Sequence, residues 1–188
     1  MNLFRKVLNF SSERYLKAAG NLFIYDGNHD EALVMVDKTL ALEPDNVRAL
    51  ILKGDVLYCL NRDIEALDAL NKALRLVPHS VEALISKAGV LDTLGRYRDA
   101  LNCCYLAFEK IHSFQVFLLP SLFEQQIILL MKLKKFRQAQ HRLQVAETRL
   151  ERQEYEHLMF SYGVILEKLI RRRNQNPSTN PARLRILP

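Results

Sequence analysis

Apolar residues recur along the chain at the spacing of one helix face. Residues 40–50 read LALEPDNVRAL, and the same pattern of apolar, small and proline positions returns 34 positions later, in residues 74–84, as LRLVPHSVEAL. Between the breaks the apolar positions lie three or four residues apart, which is the period of an amphipathic helix. The pattern therefore predicts pairs of short helices that repeat every 34 residues.

Small residues align when the chain is laid over itself at this offset. Each unit has glycine or alanine in its first helix and alanine in its second helix. We interpret these positions as the points where the two helices of a hairpin cross closely, because only small side chains fit there. The pairs are Gly20 with Ala32, Gly54 with Ala66, and Ala88 with Ala100.

Residues with known preferences for helix ends mark the breaks. A glycine or asparagine that tolerates a left-handed backbone stands between the two helices of each unit. A serine or asparagine that can accept a hydrogen bond from a free backbone N–H precedes each first helix. Pro44 and Pro78 end the preceding helices. The breaks fall at Gly27 and Asn28, Asn61 and Arg62, and Gly95 and Arg96, and the caps are Ser12, Asn46 and Ser80.

A fourth unit is present but out of phase. The stretch KKFRQAQHRL mirrors GRYRDALNCC and places Ala139 39 residues after Ala100, so five residues have been inserted. We place the insertion at IHSFQVFLLPS, whose apolar density favours packing on neighbouring helices, although an exposed docking strip stays open. A last helix at about 152–172 carries an apolar stripe that we expect to seal the end of the stack. The stripe consists of Tyr155, Leu158, Met159, Tyr162, Ile165, Leu166 and Leu169.

These features divide the chain into five segments. We expect an N-terminal segment at 1–12, three repeat units at 13–112, and the insertion with a degenerate fourth unit at 113–150. A capping helix follows at 151–173. Residues 174–188 are too polar and too often interrupted by proline to pack, so we expect them to be a disordered basic tail.

The repeat resembles the tetratricopeptide repeat family, whose unit is a 34-residue helix–turn–helix. The resemblance implies an all-α superhelix, a solenoid of about three regular hairpins and one degenerate hairpin with a C-terminal capping helix. The positions that match the motif are Leu16, Gly20, Phe23, Ala32, Val36 and Pro44; Leu50, Gly54, Leu57, Ala66, Leu70 and Pro78; and Leu84, Ala88, Leu91, Ala100, Cys104 and Ala107.

The resemblance also implies a functional surface, because first helices in this family line a concave groove that holds an extended or helical segment of another protein. Ile24, Leu52 and Tyr58 would then form an apolar strip that anchors the partner and contributes little to folding. Ile51 and Ile85 could equally pack against the next helix. The groove positions carried over are Arg14, Lys17, Asn21, Ile24, Tyr25, Arg48, Ile51, Leu52, Asp55, Tyr58, Glu82, Ile85 and Ser86.

One specialisation of the family is not predicted here. Members that capture the acidic carboxyl-terminal peptides of heat-shock chaperones use lysine and asparagine on one unit, asparagine on the next, and lysine and arginine on the third. Lys17 and Asn21 match, but Leu52, Glu82 and Ser86 occupy the other three places. A glutamate that faces a bound carboxylate would repel it.

No catalytic residue, cofactor site or metal site is predicted. The five histidines stand singly, and the chain has no glycine-rich phosphate loop and no nucleophile elbow. Cys59, Cys103 and Cys104 are interpreted as reduced apolar fillers. We therefore expect a non-enzymatic adaptor, scaffold or chaperone-like assembly factor whose partner is another protein and which has no small-molecule substrate. No oligomeric state is predicted.

The net charge of +6 is concentrated towards the carboxyl end. Residues 132–188 hold 13 Lys and Arg against 5 Asp and Glu, and residues 1–131 carry a net charge of −2. A helix face that is exposed to water explains these basic residues as well as a binding site for an anionic partner does. Residues 171–185 could alternatively contact an anionic membrane surface while the groove holds subunits of a membrane complex. Nucleic acid is the least favoured partner, because Asp55, Glu82 and Asp92 place acidic groups in the groove.

The location follows from the apolar stretches. The amino-terminal sequence contains no apolar run of signal-peptide length, and the most apolar run, residues 114–123, is broken by Pro120 and closed by Glu124. We therefore predict a cytoplasmic protein that lies at the periphery of a membrane if its basic end binds lipid.

Overall fold

The computed structural model describes the backbone of residues 2–175 and the side chains of residues 11–172 and 174. Within these residues the chain is all-α and contains no strand. It divides into two compact units, of which the first ends at Ile111 and the second begins at His112. The predicted all-α helical repeat fold is confirmed.

The described part of the first unit consists of three consecutive helix hairpins. The first hairpin is α1 (Asn2–Asn21), a π-helical turn (Leu22–Asp26) and α2 (His29–Leu42). The second is α3 (Val47–Cys59) with α4 (Asp63–Leu76), and the third is α5 (Val81–Thr93) with α6 (Tyr97–Lys110). Each helix packs against its hairpin partner, while α2 contacts α3 and α4 contacts α5. The hairpins therefore stack in chain order.

The core of the first unit follows the 34-residue period. Ala32, Ala66 and Ala100 are fully buried, as expected for small residues where helices cross. Gly54 is also a point of close approach, but its neighbour is Leu70 of α4. A Cβ added at Gly54 would lie 2.6 Å from Leu70 Cγ.

The predicted close crossing at Gly20 is wrong. A Cβ built at Gly20 meets no atom within 4 Å. Gly20 lies on the side of α1 that lines a surface pocket, so its small size leaves space at the surface and is not needed for contact between α1 and α2.

Two of the three predicted caps are confirmed. Asn46 Oδ1 accepts a hydrogen bond from Ala49 N at 3.1 Å, and Ser80 Oγ accepts one from the equivalent backbone N–H of α5 at 3.3 Å. The third, Ser12, lies inside α1, because that helix already begins at Asn2 and its backbone N–H groups are bonded within the helix. Its buried hydroxyl donates to the carboxylate of Glu43, just after α2.

The predicted turns use a left-handed backbone. Gly27, Asn61 and Gly95 have φ values of 61°, 58° and 71°. Lys134, which aligns with Gly95 in the out-of-phase fourth unit, has a φ of 57°. A residue with a Cβ is strained in this conformation, whereas glycine is not.

Exchanging residues between these two equivalent turns is expected to change stability in opposite directions. Lys134→Gly should raise the free energy of unfolding by up to about 1 kcal/mol, because it removes the left-handed strain, and Gly95→Lys should lower it by about 1 kcal/mol. Urea unfolding of both variants checks this. Equal loss of stability in both would show that Lys134 stabilises its turn by a contact of its side chain.

The second unit contains one hairpin followed by a broken carboxyl-terminal helix. A 3₁₀ helix (Ser113–Leu118) leads into α7 (Leu119–Lys132), which packs on α8 (Phe136–Glu147). A helical stretch then comprises α9 (Arg152–Leu158), a π-helical turn (Met159–Gly163) and α10 (Val164–Gln175). The fully buried large side chains of this unit include Leu122, Phe123, Ile127, Leu129, Leu130, Leu158 and Leu166.

The last helix therefore differs from the uninterrupted helix predicted at about 152–172. The π-helical turn shifts the register, so Leu158 and Leu166 are buried while Met159 and Ile165, expected on the same stripe, are 37% and 47% exposed. A Cβ at Gly163 would lie 2.9 Å from Met159 Cε, the flexible end of a side chain that can shift to make room. Residues 176–188 of the predicted tail lie outside the described residues.

The packing predicted for the insertion is wrong for its three most exposed apolar residues. Phe114, Val116 and Phe117 are 74%, 48% and 73% exposed, while Gln115 between them is buried. Gln115 turns inward because its side chain accepts a hydrogen bond from the backbone N–H of His112 at 3.3 Å. The His112 ring stacks on Phe114 with 5.7 Å between ring centroids, which holds Phe114 at the surface.

One segment of the described chain, Ser113–Lys132, is long and apolar enough to cross a membrane by length and composition, with a mean hydropathy of 1.4. A core helix has the same composition. Phe123 and Ile127 within it are fully buried, and Glu124 accepts a hydrogen bond from the Tyr162 hydroxyl at 2.8 Å. Packing within the second unit accounts for the buried apolar residues of the segment, while Phe114, Val116 and Phe117 stay exposed.

Candidate functional site

One surface pocket of the first unit collects seven of the thirteen predicted groove residues. It lies between α1, the π-helical turn after α1, and α3, and has a volume of about 820 Å³. The residues from α1 and α3 are spaced three or four apart, which places them on one helix face. They are Arg14, Lys17, Asn21, Ile24, Tyr25, Arg48 and Leu52.

Three further residues line this pocket that were not assigned to it from the sequence: Glu13, Leu16 and Gly20. From the sequence, Leu16 was assigned only to the repeat motif, and Gly20 was interpreted as a crossing point. Positions 13, 17, 20 and 24 follow one another at the spacing of a single helix face. That spacing could have identified Glu13 and Gly20 as neighbours of Lys17 and Ile24.

The π-helical turn forms the outer wall of the pocket. It ends at Gly27, whose N–H donates to Leu22 O and whose left-handed backbone stops the helix. Ile24 and Tyr25 project from this turn and are 68% and 79% exposed. A π-helical turn is uncommon and is often found at functional sites. Two large exposed side chains next to each other contribute little to folding and are available for contact with a partner.

Positive charge surrounds the pocket. Arg14, Lys17 and Arg48 are exposed, and within the described residues none of them has a hydrogen-bond or ion-pair partner. Residues 1–10 contain no acidic residue, and Glu13 is the one carboxylate among the lining residues. Other basic side chains of the first unit are paired: Lys53 with Asp37 at 2.7 Å, Arg62 with Glu65 at 2.6 Å, Lys72 with Asp45 at 3.2 Å, and Arg96 with Asp99 at 2.8 Å.

The apolar floor of the pocket belongs partly to the core. Leu52 packs against the buried cluster formed by Leu16, Ala19, Val36 and Ala49. The expectation that Leu52 contributes little to folding is therefore wrong, because α3 lies against α2 and brings this side chain into contact with the first hairpin.

The remaining predicted groove residues do not line the pocket. Ile51 packs against the buried cluster of Leu50, Ala73 and Ala83, so for Ile51 the packing alternative is correct. Ile85 is half-buried on α5. Tyr58, at 37%, and Glu82 are exposed.

Asp55 and Ser86 form a contact between α3 and α5. The Ser86 hydroxyl donates to the Asp55 carboxylate, which lowers the pKa of Asp55, but burial raises that pKa by more, so the net shift is upward. Glu82 is exposed on α5, so together with Asp55 it places acidic side chains on the first helices of the second and third hairpins. The charge along the first helices therefore changes sign between the first hairpin and the third.

The cysteines divide into two groups. Cys103 and Cys104 are buried in α6 as predicted, and burial raises the pKa of Cys104 to about 12, so its thiol stays protonated at neutral pH. Cys59 is exposed at the end of α3, so the prediction that it fills the core is wrong. Among the described residues, no group of three or more His, Cys, Asp or Glu side chains could hold a metal ion.

Sequence comparison matches one part of the chain to a known family. Residues 26–105 match the family described as anaphase-promoting complex, cyclosome, subunit 3. This match covers α2 to most of α6 and includes the residues of the pocket that come from α3. No curated protein matches the chain in sequence.

Solved structures resemble a larger part of the chain than this family match covers. PilF of Pseudomonas aeruginosa has a TM-score of 0.67 and 20% identity over 86% of this chain and 74% of its own. YrrB, "a TPR protein with an unusual peptide-binding site", has a TM-score of 0.60 and 23% identity over 78% and 74%. The first TPR domain of human RPAP3 has a TM-score of 0.59 and 15% identity over 66% and 94%. At these identities the likeness is one of fold.

Proposed function

Because the chain belongs to the tetratricopeptide repeat family, we propose that it is an adaptor, scaffold or assembly factor that holds a segment of a partner protein in the pocket between α1 and α3. Proteins with these repeats are typically non-catalytic interaction modules. The role proposed for the chain is accordingly binding without turnover, in the cytoplasm.

The observation that carries this proposal is the convergence of predicted groove residues on one pocket. Seven residues chosen by their repeat positions line a single cavity of about 820 Å³, a size at which small ligands or side chains are commonly bound. The exposed Ile24 and Tyr25 stand at its rim and offer apolar area that the fold itself does not use. The peptide-binding site stated for YrrB supports the same kind of role for this chain.

Replacing Ile24 and Tyr25 together by serine is expected to weaken capture of the partner about tenfold or more. Buried anchors at interfaces are often worth about 2 kcal/mol or more, and each 1.4 kcal/mol is about a factor of ten in affinity. The measurement is a pull-down from native lysate with mass spectrometry, followed by the dissociation constant of the recombinant partner. These two positions are better suited than Leu52, whose loss would also disturb the core.

A matched control uses exposed apolar residues on second helices of the same unit. Ile64→Ser with Val34→Ser removes side chains that are 65% and 51% exposed and do not line the pocket. The control should retain partner capture and a melting temperature close to that of the unmodified protein. Equal capture by both double variants would exclude the pocket from the mechanism.

A second candidate function involves the basic carboxyl end and an anionic membrane surface. Phe160 is 89% exposed in the second unit, and Lys168, Arg171 and Arg172 are exposed along the following helix. Basic residues near an anionic surface each contribute about 1 kcal/mol, and an exposed aromatic ring can enter the interface. Flotation with phosphatidylserine vesicles across a salt series tests this, and binding to neutral vesicles alone would contradict it. Nucleic acid is less favoured.

A further inference from the structure

We propose that the pocket between α1 and α3 selects an acidic segment of a protein partner, with one bulky apolar side chain close to its carboxylates. This inference rests on the proposed function and adds the chemistry of the partner. It is carried by the charge at the rim, the space at the floor and the charge of the neighbouring surface.

The rim supplies positive charge that the fold does not neutralise. Arg14 and Lys17 on α1 and Arg48 on α3 have no ion-pair partner in the described chain, and only Glu13 opposes them among the lining residues. Arginine can bind a carboxylate through two parallel N–H groups, and lysine acts as a compact charge. Carboxylates of a bound segment would pair with these groups in the way that Asp37 pairs with Lys53.

The floor supplies space for an apolar side chain. Gly20 leaves the surface of α1 open, since a Cβ there meets nothing within 4 Å, and Leu16 and Leu52 form an apolar base. Ile24 and Tyr25 on the π-helical turn line the same pocket and add exposed apolar surface beside this space. An aromatic or large aliphatic side chain therefore suits the space between the cations.

The acidic residues on the next two first helices favour a protein segment over a nucleic acid as the partner. Asp55 and Glu82 lie on α3 and α5, which continue the same series of first helices. A long phosphodiester chain would meet these carboxylates beyond the first cations, whereas a peptide can carry acidic residues at one end only. The structure thus favours a protein segment whose acidic end lies against α1.

The occupant is not this chain's own carboxyl end. Residues 171–188 contain five arginines and no acidic residue, so Arg14, Lys17 and Arg48 would repel them. The site also differs from the clamp for chaperone tails, because Glu82 and Ser86 replace its third-unit cations. Recognition of the acidic groups would rest on the first two hairpins.

The experiment is selection from a random twelve-residue peptide library displayed on phage, on the immobilised full chain. Enriched peptides are expected to carry two or more Asp or Glu next to an aromatic or large aliphatic residue. Arg14→Glu with Arg48→Glu should lower the affinity of the synthetic selected peptide at least about tenfold. Arg75→Glu with Arg98→Glu, at exposed positions that do not line the pocket, makes the same change in net charge and should leave the affinity unchanged.

Other results overturn the inference. These are enrichment of basic or uncharged peptides, absence of any enriched peptide, equal effects of the two charge reversals, or displacement of the selected peptide by a single-stranded oligonucleotide. Loss of peptide binding in a concentration-dependent dimer would identify a second copy as the occupant. If the lysate partner still depends on Ile24 and Tyr25 while the selected peptides are not acidic, the inference fails and the proposed function stands.

Discussion

Replacing Phe123 by alanine is expected to lower the free energy of unfolding by about 3–5 kcal/mol, which is the usual range for loss of a fully buried aromatic side chain. Phe123 is fully buried in α7. The centroid of its ring also lies 4.9 Å from the guanidinium carbon of Arg142 on α8. The substitution therefore removes a cation–π contact as well as apolar burial. Urea unfolding followed by circular dichroism gives the value.

Phe160→Ala is the matched control in the same unit. Phe160 is 89% exposed, so its removal should change stability by no more than about 0.5 kcal/mol. Similar losses for the two phenylalanines would contradict the packing described for α7 and α8.

Gly54→Val is expected to lower the free energy of unfolding by about 1–3 kcal/mol through overpacking. The first atom of the new side chain would already lie 2.6 Å from Leu70 Cγ and 2.8 Å from its Cδ2, and valine adds two methyl groups beyond it. α3 and α4 must then move apart or Leu70 must leave its position. Thermal and urea unfolding measure the loss.

Two companion variants identify the cause. Gly20→Val places the same side chain where a Cβ meets nothing within 4 Å, so its effect should stay within about 0.5 kcal/mol. In the double variant Gly54→Val with Leu70→Ala, the loss should be smaller than the sum of the single losses, because the valine fills the space left by Leu70. Additive losses would mean that the two positions do not touch.

The repeat fold was predictable from the sequence because each signal that defines the repeat acts locally along the chain. Periodic apolar positions, caps such as Asn46 and Ser80, and left-handed turns at Gly27, Asn61 and Gly95 each act within a few residues. A feature that acts locally can be recognised without knowledge of the tertiary structure.

The features that the sequence did not predict depend on contacts between distant residues. Ser12 fits the pattern of a cap, but the helix continues through it and its hydroxyl bonds to Glu43, 31 positions away. Gly20 and Gly54 share a repeat position, yet only Gly54 is closely packed. The π-helical turns also have no simple periodic signature, so the turn after α1 and the break at Met159 were not expected.

The sequence indicated which residues lie near the candidate site, but it did not show which of them also stabilise the core. Repeat positions correctly grouped Arg14, Lys17 and Arg48 around one pocket. They did not separate groove residues from core residues at Leu52 and Ile51, because a half-buried side chain between two helices can satisfy both descriptions. The three-dimensional contacts were needed to distinguish them.

The central claim, that the pocket between α1 and α3 binds the partner segment, is tested most directly by site-specific photo-crosslinking. A p-benzoylphenylalanine probe is placed at Tyr25 in the pocket, at Ile64 on a second helix, or at Phe160 in the second unit, and crosslinked peptides are mapped by mass spectrometry. The account predicts that the probe at Tyr25 crosslinks to one acidic segment of the partner, and that the other two probes do not. Crosslinks to the partner from Ile64 or Phe160 and none from Tyr25 would contradict it.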